Sequence, residues 1–224
     1  MKFAGIRAVI IDLDGTMLDT APDFHAAINR MRQELALSPL DIETIKNFVG
    51  KGSENLIHRV LSVDFDTQGV AQHFDTAMAA YQRHYLAING DFATLYPQVR
   101  EGLDAFQQRG LKLACVTNKP IDFALPLLDK VGLRNYFSVI YGGDSLPTKK
   151  PAPGPFQQVC RDFDIKPQQT VAIGDSSNDA IAARAAGCYV LSVPYGYNHG
   201  APVQAIDSDG IVETLFDAAT LISV

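Results

Sequence analysis

The sequence predicts an α/β protein: a doubly wound parallel sheet with a small all-helical domain inserted after the first strand. Three observations predict it. Five short apolar runs lack strict polar alternation, as strands covered on both faces do. Amphipathic helical patterns separate the later runs, as expected of parallel strands joined by helical crossovers. From about Asp19 to Leu86, apolar residues recur at helical spacing with almost no strand signal.

In chain order, the first run is Ala8–Ile11. The strand-poor segment follows directly. Its helical groups are Ile28, Met31 and Leu35, then Leu56, Ile57, Val60 and Leu61, then Phe74, Met78, Tyr81 and Tyr85. Placed just past the first strand, it reads as a lid over the sheet's carboxyl edge. The domains expected are therefore a core of residues 1-16 and 92-224 and a helical unit of residues 17-91. Val99, Leu103 and Phe106 then form a helix stopped by Gly110, ahead of a strand at Lys112–Val116. Phe123, Leu127, Leu128 and Val131, followed by Gly132, precede a strand at Ser138–Tyr141. Phe156, Val159, Cys160 and Phe163 precede Thr170–Ile173. The alanine-rich "NDAIAARAAG" is closed by Gly187, and Tyr189–Val193 is the last run.

At 224 residues the chain can bury a large core, as one large domain or a core plus an insertion. Hydrophobic content of 47% and charged content of 20% are ordinary for a soluble globular protein. A net charge of −6 argues against a nucleic-acid partner, which calls for a basic face. Three cysteines, an odd number without a CxxC pair, argue against a disulfide framework and against a structural zinc site. Cys115, in the run "LKLACV", reads as a small core residue. The first apolar run is too short for a signal peptide, and no stretch approaches 18 apolar residues. A cytoplasmic protein that is a monomer or homodimer, without a membrane partner, is the expectation.

In open α/β sheets ligands bind beyond the carboxyl ends of the strands. The unusual polar residues map there. Asp12 and Asp14 end the first strand, and Thr117, Asn118 and Lys119 end the second. Gly174, Asp175 and Asp179 end the fourth, and Lys149 and Lys150 precede the third core helix. Carboxylates gathered at one point repel unless neutralised. The natural neutraliser is a hard divalent cation such as Mg²⁺, which takes one or two carboxylates, waters and phosphate oxygens. A lysine and a hydroxyl suit the remaining phosphate oxygens. Gly15 allows a sharp turn after Asp14, whose backbone N–H groups can then face an anion. The pattern reads as an acid-rich, magnesium-dependent site built for phosphoryl chemistry on a small phosphorylated metabolite.

The strings "DLDGT", "VTNK", "KKPAP" and "GDSSND", in this order, resemble the four motifs of the haloacid dehalogenase superfamily. The helical insertion resembles that superfamily's type-one cap, and the likeness spans essentially the whole chain. It implies a Rossmann-like core. The longer strings "YFSVIYGGD", "GDSSNDAIAARAAGC" and "YGYNHG" resemble the bacterial phosphoglycolate phosphatases within it, although related sugar-phosphate phosphatases share much of them.

The resemblance implies roles that spacing alone does not assign. Asp12 is the expected nucleophile and Asp14 the acid–base partner. Asp175 would hold Mg²⁺ together with the Asp12 carboxylate and the Asp14 carbonyl, and Asp179 would ligate directly or orient the metal's waters. Thr117 and the N–H of Asn118 would bind phosphoryl oxygens. Lys150 would neutralise them and restrain the nucleophile. In the helical segment "FVGKGSENLI", Lys51 and the amides at a helix start are candidates for a second anionic end of the substrate, with a solvated loop as the alternative. That string is not a Walker A loop, because Gly52 follows the lysine where Ser or Thr is required. Tyr195, Tyr197 and His199 either line the entrance or form a plain surface loop. The expected reaction is hydrolysis of a small phosphate monoester, 2-phosphoglycolate first, through an aspartyl-phosphate. A sugar-phosphate phosphatase, a phosphomutase and a catalytically silent binding module are the alternatives.

Overall fold

A computed structural model describes residues 3–224. In chain order the elements are β1 (Ala8–Ile11), β2 (Leu18–Asp19), α1 (Ala21–Glu34), α2 (Ile42–Phe48), α3 (Ser53–Leu61), α4 (Thr67–Ile88) and β3 (Thr94–Leu95). Then follow α5 (Val99–Gln108), β4 (Lys112–Val116), α6 (Ile121–Lys130), β5 (Val139–Tyr141), α7 (Gly154–Phe163) and β6 (Thr170–Gly174). The chain closes with α8 (Ser177–Ala186), β7 (Tyr189–Ser192), β8 (Gly210–Ile211) and α9 (Leu215–Leu221).

Six strands form one sheet in the order β5-β4-β1-β6-β7-β8, with every pairing parallel. The side-chain period of a strand sends neighbours to opposite faces. Val9 and Ile11, Leu113 and Cys115, and Val171 and Ile173 pack on one face with α5, α6 and α9. Ala8 and Ile10, Ala114 and Val116, and Ala172 pack on the other with α7 and α8. Both faces are covered, which is why these runs read as continuous apolar stretches. β8 escaped the sequence reading because its two residues, a glycine and one isoleucine, carry no run to detect.

Helices α1 to α4 form their own core, with Ala27, Ile28, Met31, Leu56, Ile57, Val60, Leu61, Tyr81 and Tyr85 buried together. Two residues from the sheet side, Phe123 and Tyr197, join it. The helices leave the sheet through β2 and return through β3, which pair antiparallel. The 16/17 boundary expected from the sequence falls just before this ribbon. Met17 and Leu18 pack into the sheet's core rather than the helical one. Asp23, fully buried near the start of α1, accepts hydrogen bonds of 2.8 Å from the N–H groups of both Gly90 and Phe92. The entry and exit of the helical segment are thus tied to each other. Among the described residues no helix is long and apolar enough to cross a membrane.

Candidate active site

β1 sits in the middle of the sheet, and its C-terminal end is flanked by those of β4 and β6. Residues that follow these three strands therefore meet. The N–H of Asp12 still pairs with the carbonyl of Ile173 at 3.0 Å, which holds its side chain at the strand's mouth. Asp12, Asp175 and Asp179 each offer a carboxylate oxygen, and these atoms lie within 4.8 Å of one another.

Lys150 sits among them, 3% exposed. Its Nζ donates to Asp179 Oδ1 at 2.6 Å and to the Val116 carbonyl at 2.8 Å, and it lies 2.8 Å from Asp12 Oδ1. Burial alone would lower the Lys150 pKa, but Asp12 and Asp179 outweigh it and the net shift is upward. The acids suffer the reverse. Burial, with the repulsion of Asp179 and Asp175, raises Asp12 well above the usual carboxylate range even though Lys150 opposes it. Burial and the nearby Asp179 push Asp175 up to about 7.

Asp175 is gripped on all sides. Oδ1 accepts from Thr16 Oγ1 at 2.9 Å, and Oδ2 from the N–H of Tyr197 at 2.5 Å. Gly15, at φ +84°, and Gly196 press their backbones against this carboxylate, and a Cβ at either would overlap it. Asp179 lies in the first turn of α8. Its Oδ2 caps that helix by accepting from the N–H of Ser176 at 3.2 Å and from Ser176 Oγ at 2.8 Å. With Oδ1 taken by Lys150, both oxygens of Asp179 are already engaged. Of the two roles expected for it, that of orienting its neighbours fits this geometry better than direct ligation.

Were all three carboxylates ionised against one ammonium, two negative charges would stand uncompensated (−3 + 1 = −2) in a buried place, which is why Asp12 and Asp175 resist ionisation. Asp12 Oδ1 is buried without a hydrogen-bond partner, Lys150 lying close but outside hydrogen-bond geometry. An all-oxygen, doubly negative donor set with an unsatisfied oxygen fits a hard divalent cation.

A second buried ion pair lies beside the first. Lys119 Nζ is 2.8 Å from Asp14 Oδ1 and 3.1 Å from Oδ2, and Thr20 Oγ1 donates to the same Oδ1 at 2.7 Å. Thr117 is buried; its Oγ1 accepts from the N–H of Lys119 at 3.1 Å, which leaves the hydroxyl proton for a ligand. Asn118 uses its side-chain amide structurally, donating to the carbonyls of Gly50 at 3.0 Å and Lys150 at 2.9 Å. Its backbone follows Thr117 at the sheet edge.

Asp12, Asp14, Thr117, Asn118 and Lys119 line one pocket with Gly50, Gly52 and Ser53 from the helical segment. Its apolar wall includes Phe24, Val49, Leu56, Tyr81 and Phe123. Its volume is about 40 Å³, and it opens toward a larger groove that shares Gly52, Ser53, Asn118 and Phe123. Lys51, expected here, is exposed and does not line the pocket. The two glycines beside it bring the backbone in, and the lysine side chain stays in solvent.

Sequence alone assigns no role to Lys119, Thr16 or Thr20. Thr16 and Lys119 stand inside the motifs "DLDGT" and "VTNK", and that position was the available signal. The loop "YGYNHG" is not a plain surface loop. Tyr195 Oη donates to the Thr16 carbonyl at 3.0 Å, and Tyr197 Oη accepts from the N–H groups of Thr20 and Ala21 at 2.8 and 2.9 Å.

A family model described as a haloacid dehalogenase-like hydrolase matches residues 6–187. Among curated proteins, the phosphoglycolate phosphatase of Nitrosospira multiformis is 48% identical over 217 residues, covering 97% of this chain and 96% of that one. The phosphoglycolate phosphatase of Thiobacillus denitrificans is 45% identical, with coverage of 97% and 96%. Among solved structures, that of a predicted phosphoglycolate phosphatase from Haemophilus somnus superposes with a TM-score of 0.87 at 31% identity, covering 97% of this chain and 98% of that one.

Proposed function

The chain belongs to the haloacid dehalogenase-like hydrolases, and we propose that it is a Mg²⁺-dependent phosphatase hydrolysing 2-phosphoglycolate to glycolate and phosphate. The observation that carries this reading is the buried meeting of Asp12, Asp175 and Asp179 around Lys150. The substrate comes from the names of the relatives, phosphoglycolate phosphatases that match over nearly the whole chain.

In this reading a carboxylate oxygen of Asp12 attacks phosphorus. The bond from phosphorus to the ester oxygen breaks, and Asp14, which must first take a proton from solvent while Lys119 stays beside it, donates that proton to turn the departing oxygen into the hydroxyl of glycolate. Asp14, now a carboxylate, takes a proton from a water that attacks the same phosphorus. The aspartyl–phosphorus bond breaks, phosphate leaves, and Asp12 is restored. Thr117 Oγ1 and the N–H of Asn118 hold phosphoryl oxygens, and Lys150 keeps Asp12 aimed. Asp12 and Asp175 would hold Mg²⁺, with the Asp14 carbonyl completing the protein's share. When bound, the ion offsets the negative charge of the phosphoryl oxygens and the acids. The helical segment, which closes the pocket through Val49, Gly50 and Gly52, excludes bulk water.

A panel of 2-phosphoglycolate, glucose 1- and 6-phosphate, N-acetylmuramate 6-phosphate and pyrophosphate, each with Mg²⁺ and with EDTA, tests the proposal. The expected result is a kcat/KM highest for 2-phosphoglycolate and activity lost on chelation. A clear preference for a sugar phosphate would overturn the substrate, and activity unaffected by chelation would overturn the metal.

A further inference from the structure

We infer that Lys119 and Tyr81 form a subsite for the substrate's carboxylate, and so select a carboxymethyl phosphate over neutral phosphate esters. The inference rests on the phosphoglycolate reading above and deepens it.

Phosphoglycolate carries a second anion two carbons from its ester oxygen, and the pocket must meet it with a cation. Among the described residues lining the pocket, Lys119 is the one cation. Lys51 is exposed, Lys150 is committed to Asp12, Asp179 and the Val116 carbonyl, and Lys149 lies on the far side of Gly52, in the adjoining groove. The Lys119 ammonium is 4.5 Å from the ring centre of Phe24 and 4.8 Å from that of Tyr85. These rings, from α1 and α4, hold a desolvated cation by their negative faces. An ammonium has three donors, and the two contacts to Asp14 leave one for a ligand.

Tyr81 supplies the second, independent observation. Its ring lines the same pocket, its side chain is fully buried, and its hydroxyl, with Ser53 nearby, makes no well-formed hydrogen bond. A buried orphan donor is costly to leave unmade. Burial raises the Tyr81 pKa, so the hydroxyl keeps its proton and can donate it. A carboxylate oxygen would satisfy both this hydroxyl and the free ammonium donor.

An ammonium shared by two carboxylates is an arrangement this site already contains. Lys150 Nζ stands between Asp12 and Asp179 at 2.8 and 2.6 Å. Lys119 would stand in the same way between Asp14 and the bound substrate. The remaining side chains of the wall are mostly apolar, Phe24, Val49, Leu56 and Phe123, with the hydroxyl of Ser53 among them.

The test compares 2-phosphoglycolate with its neutral amide, 2-phosphoglycolamide, on the wild type and on Lys119→Met, Lys119→Arg and Tyr81→Phe. The wild type is expected to prefer the acid in kcat/KM by about 10- to 100-fold, the range for a charge-assisted contact. Lys119→Met is expected to bring the two substrates within about threefold of each other, Lys119→Arg to keep most of the preference, and Tyr81→Phe to reduce it by about tenfold. A purely structural role would slow both substrates alike and leave their ratio unmoved. If the ratio persists in both Lys119→Met and Tyr81→Phe, the subsite falls while the phosphatase reading stands. If Lys119→Met fails to fold, the ratios in Lys119→Arg and Tyr81→Phe decide it. If the wild type hydrolyses neither compound but acts on another ester, the substrate reading and the subsite fall together.

Discussion

The side-chain amide of Asn118 donates to the carbonyl oxygen of Gly50 at 3.0 Å. This bond joins the sheet's carboxyl edge to the loop between α2 and α3. Asn178, at the start of α8, reaches the same oxygen at 3.2 Å, so one carbonyl of the helical segment is clasped by two core amides. The loop closes the pocket, and loosening it should weaken the closed state. Asn178→Ala is expected to raise KM by about threefold to tenfold with a smaller change in kcat, as loss of one net hydrogen bond of about 1 kcal/mol implies. Steady-state kinetics over a substrate series will show the split.

Removing the nucleophile tests the chemistry most directly. Asp12→Asn keeps the shape and abolishes the attacking carboxylate. Activity is expected to fall by about 10⁴-fold or more, while the circular dichroism spectrum stays that of the folded protein. Residual turnover near the wild-type rate would exclude Asp12 as the group that accepts phosphorus.

Lys150 holds the acids together. Lys150→Met keeps much of the stem but leaves Asp12 and Asp179 buried without their cation. Breaking a buried pair from one side costs about 3–5 kcal/mol, and thermal unfolding should move down by roughly 10 °C at this chain length. Mg²⁺ is expected to recover part of the loss, since it supplies charge at the same carboxylates. An unchanged melting temperature would show that the acids are not under strain.

The strain also has a pH signature. Burial and Asp179 push Asp175 up to about 7 from its ordinary value of 3.8, and Asp12 shifts in the same direction. Between those values the folded protein keeps a proton that the unfolded chain has released, so folding takes up a proton and stability falls as pH rises. The penalty is absent below 3.8 and complete above about 7. Metal-free protein should therefore melt lower at pH 8 than at pH 5, by about 5 °C or more. Mg²⁺ competes with those protons and should raise the melting temperature more at pH 8. Asp175→Asn should flatten the pH slope and remove most of the Mg²⁺ effect, both readable by calorimetry.

The sequence by itself determined the strands, the crossover helices and the chemical character of the site. Runs such as Ala8–Ile11 and Lys112–Val116 are continuous because both faces of the sheet are covered, and the carboxylates stand out because they interrupt those runs. Local periodicity carries that information. Lys119 and Lys51 mark its limit: both are lysines beside a turn, and nothing local tells them apart. Only the packing of Phe24 and Tyr85 over one ammonium, and the exposure of the other, separates them. The same holds for Asp179, whose oxygens are spent on Lys150 and Ser176, and for Tyr197, which grips Asp175 across 22 residues of sequence. Desolvation and like-charge repulsion depend on which remote segments share a space, and that is decided when the sheet, the helical layer and the last loop close on one another.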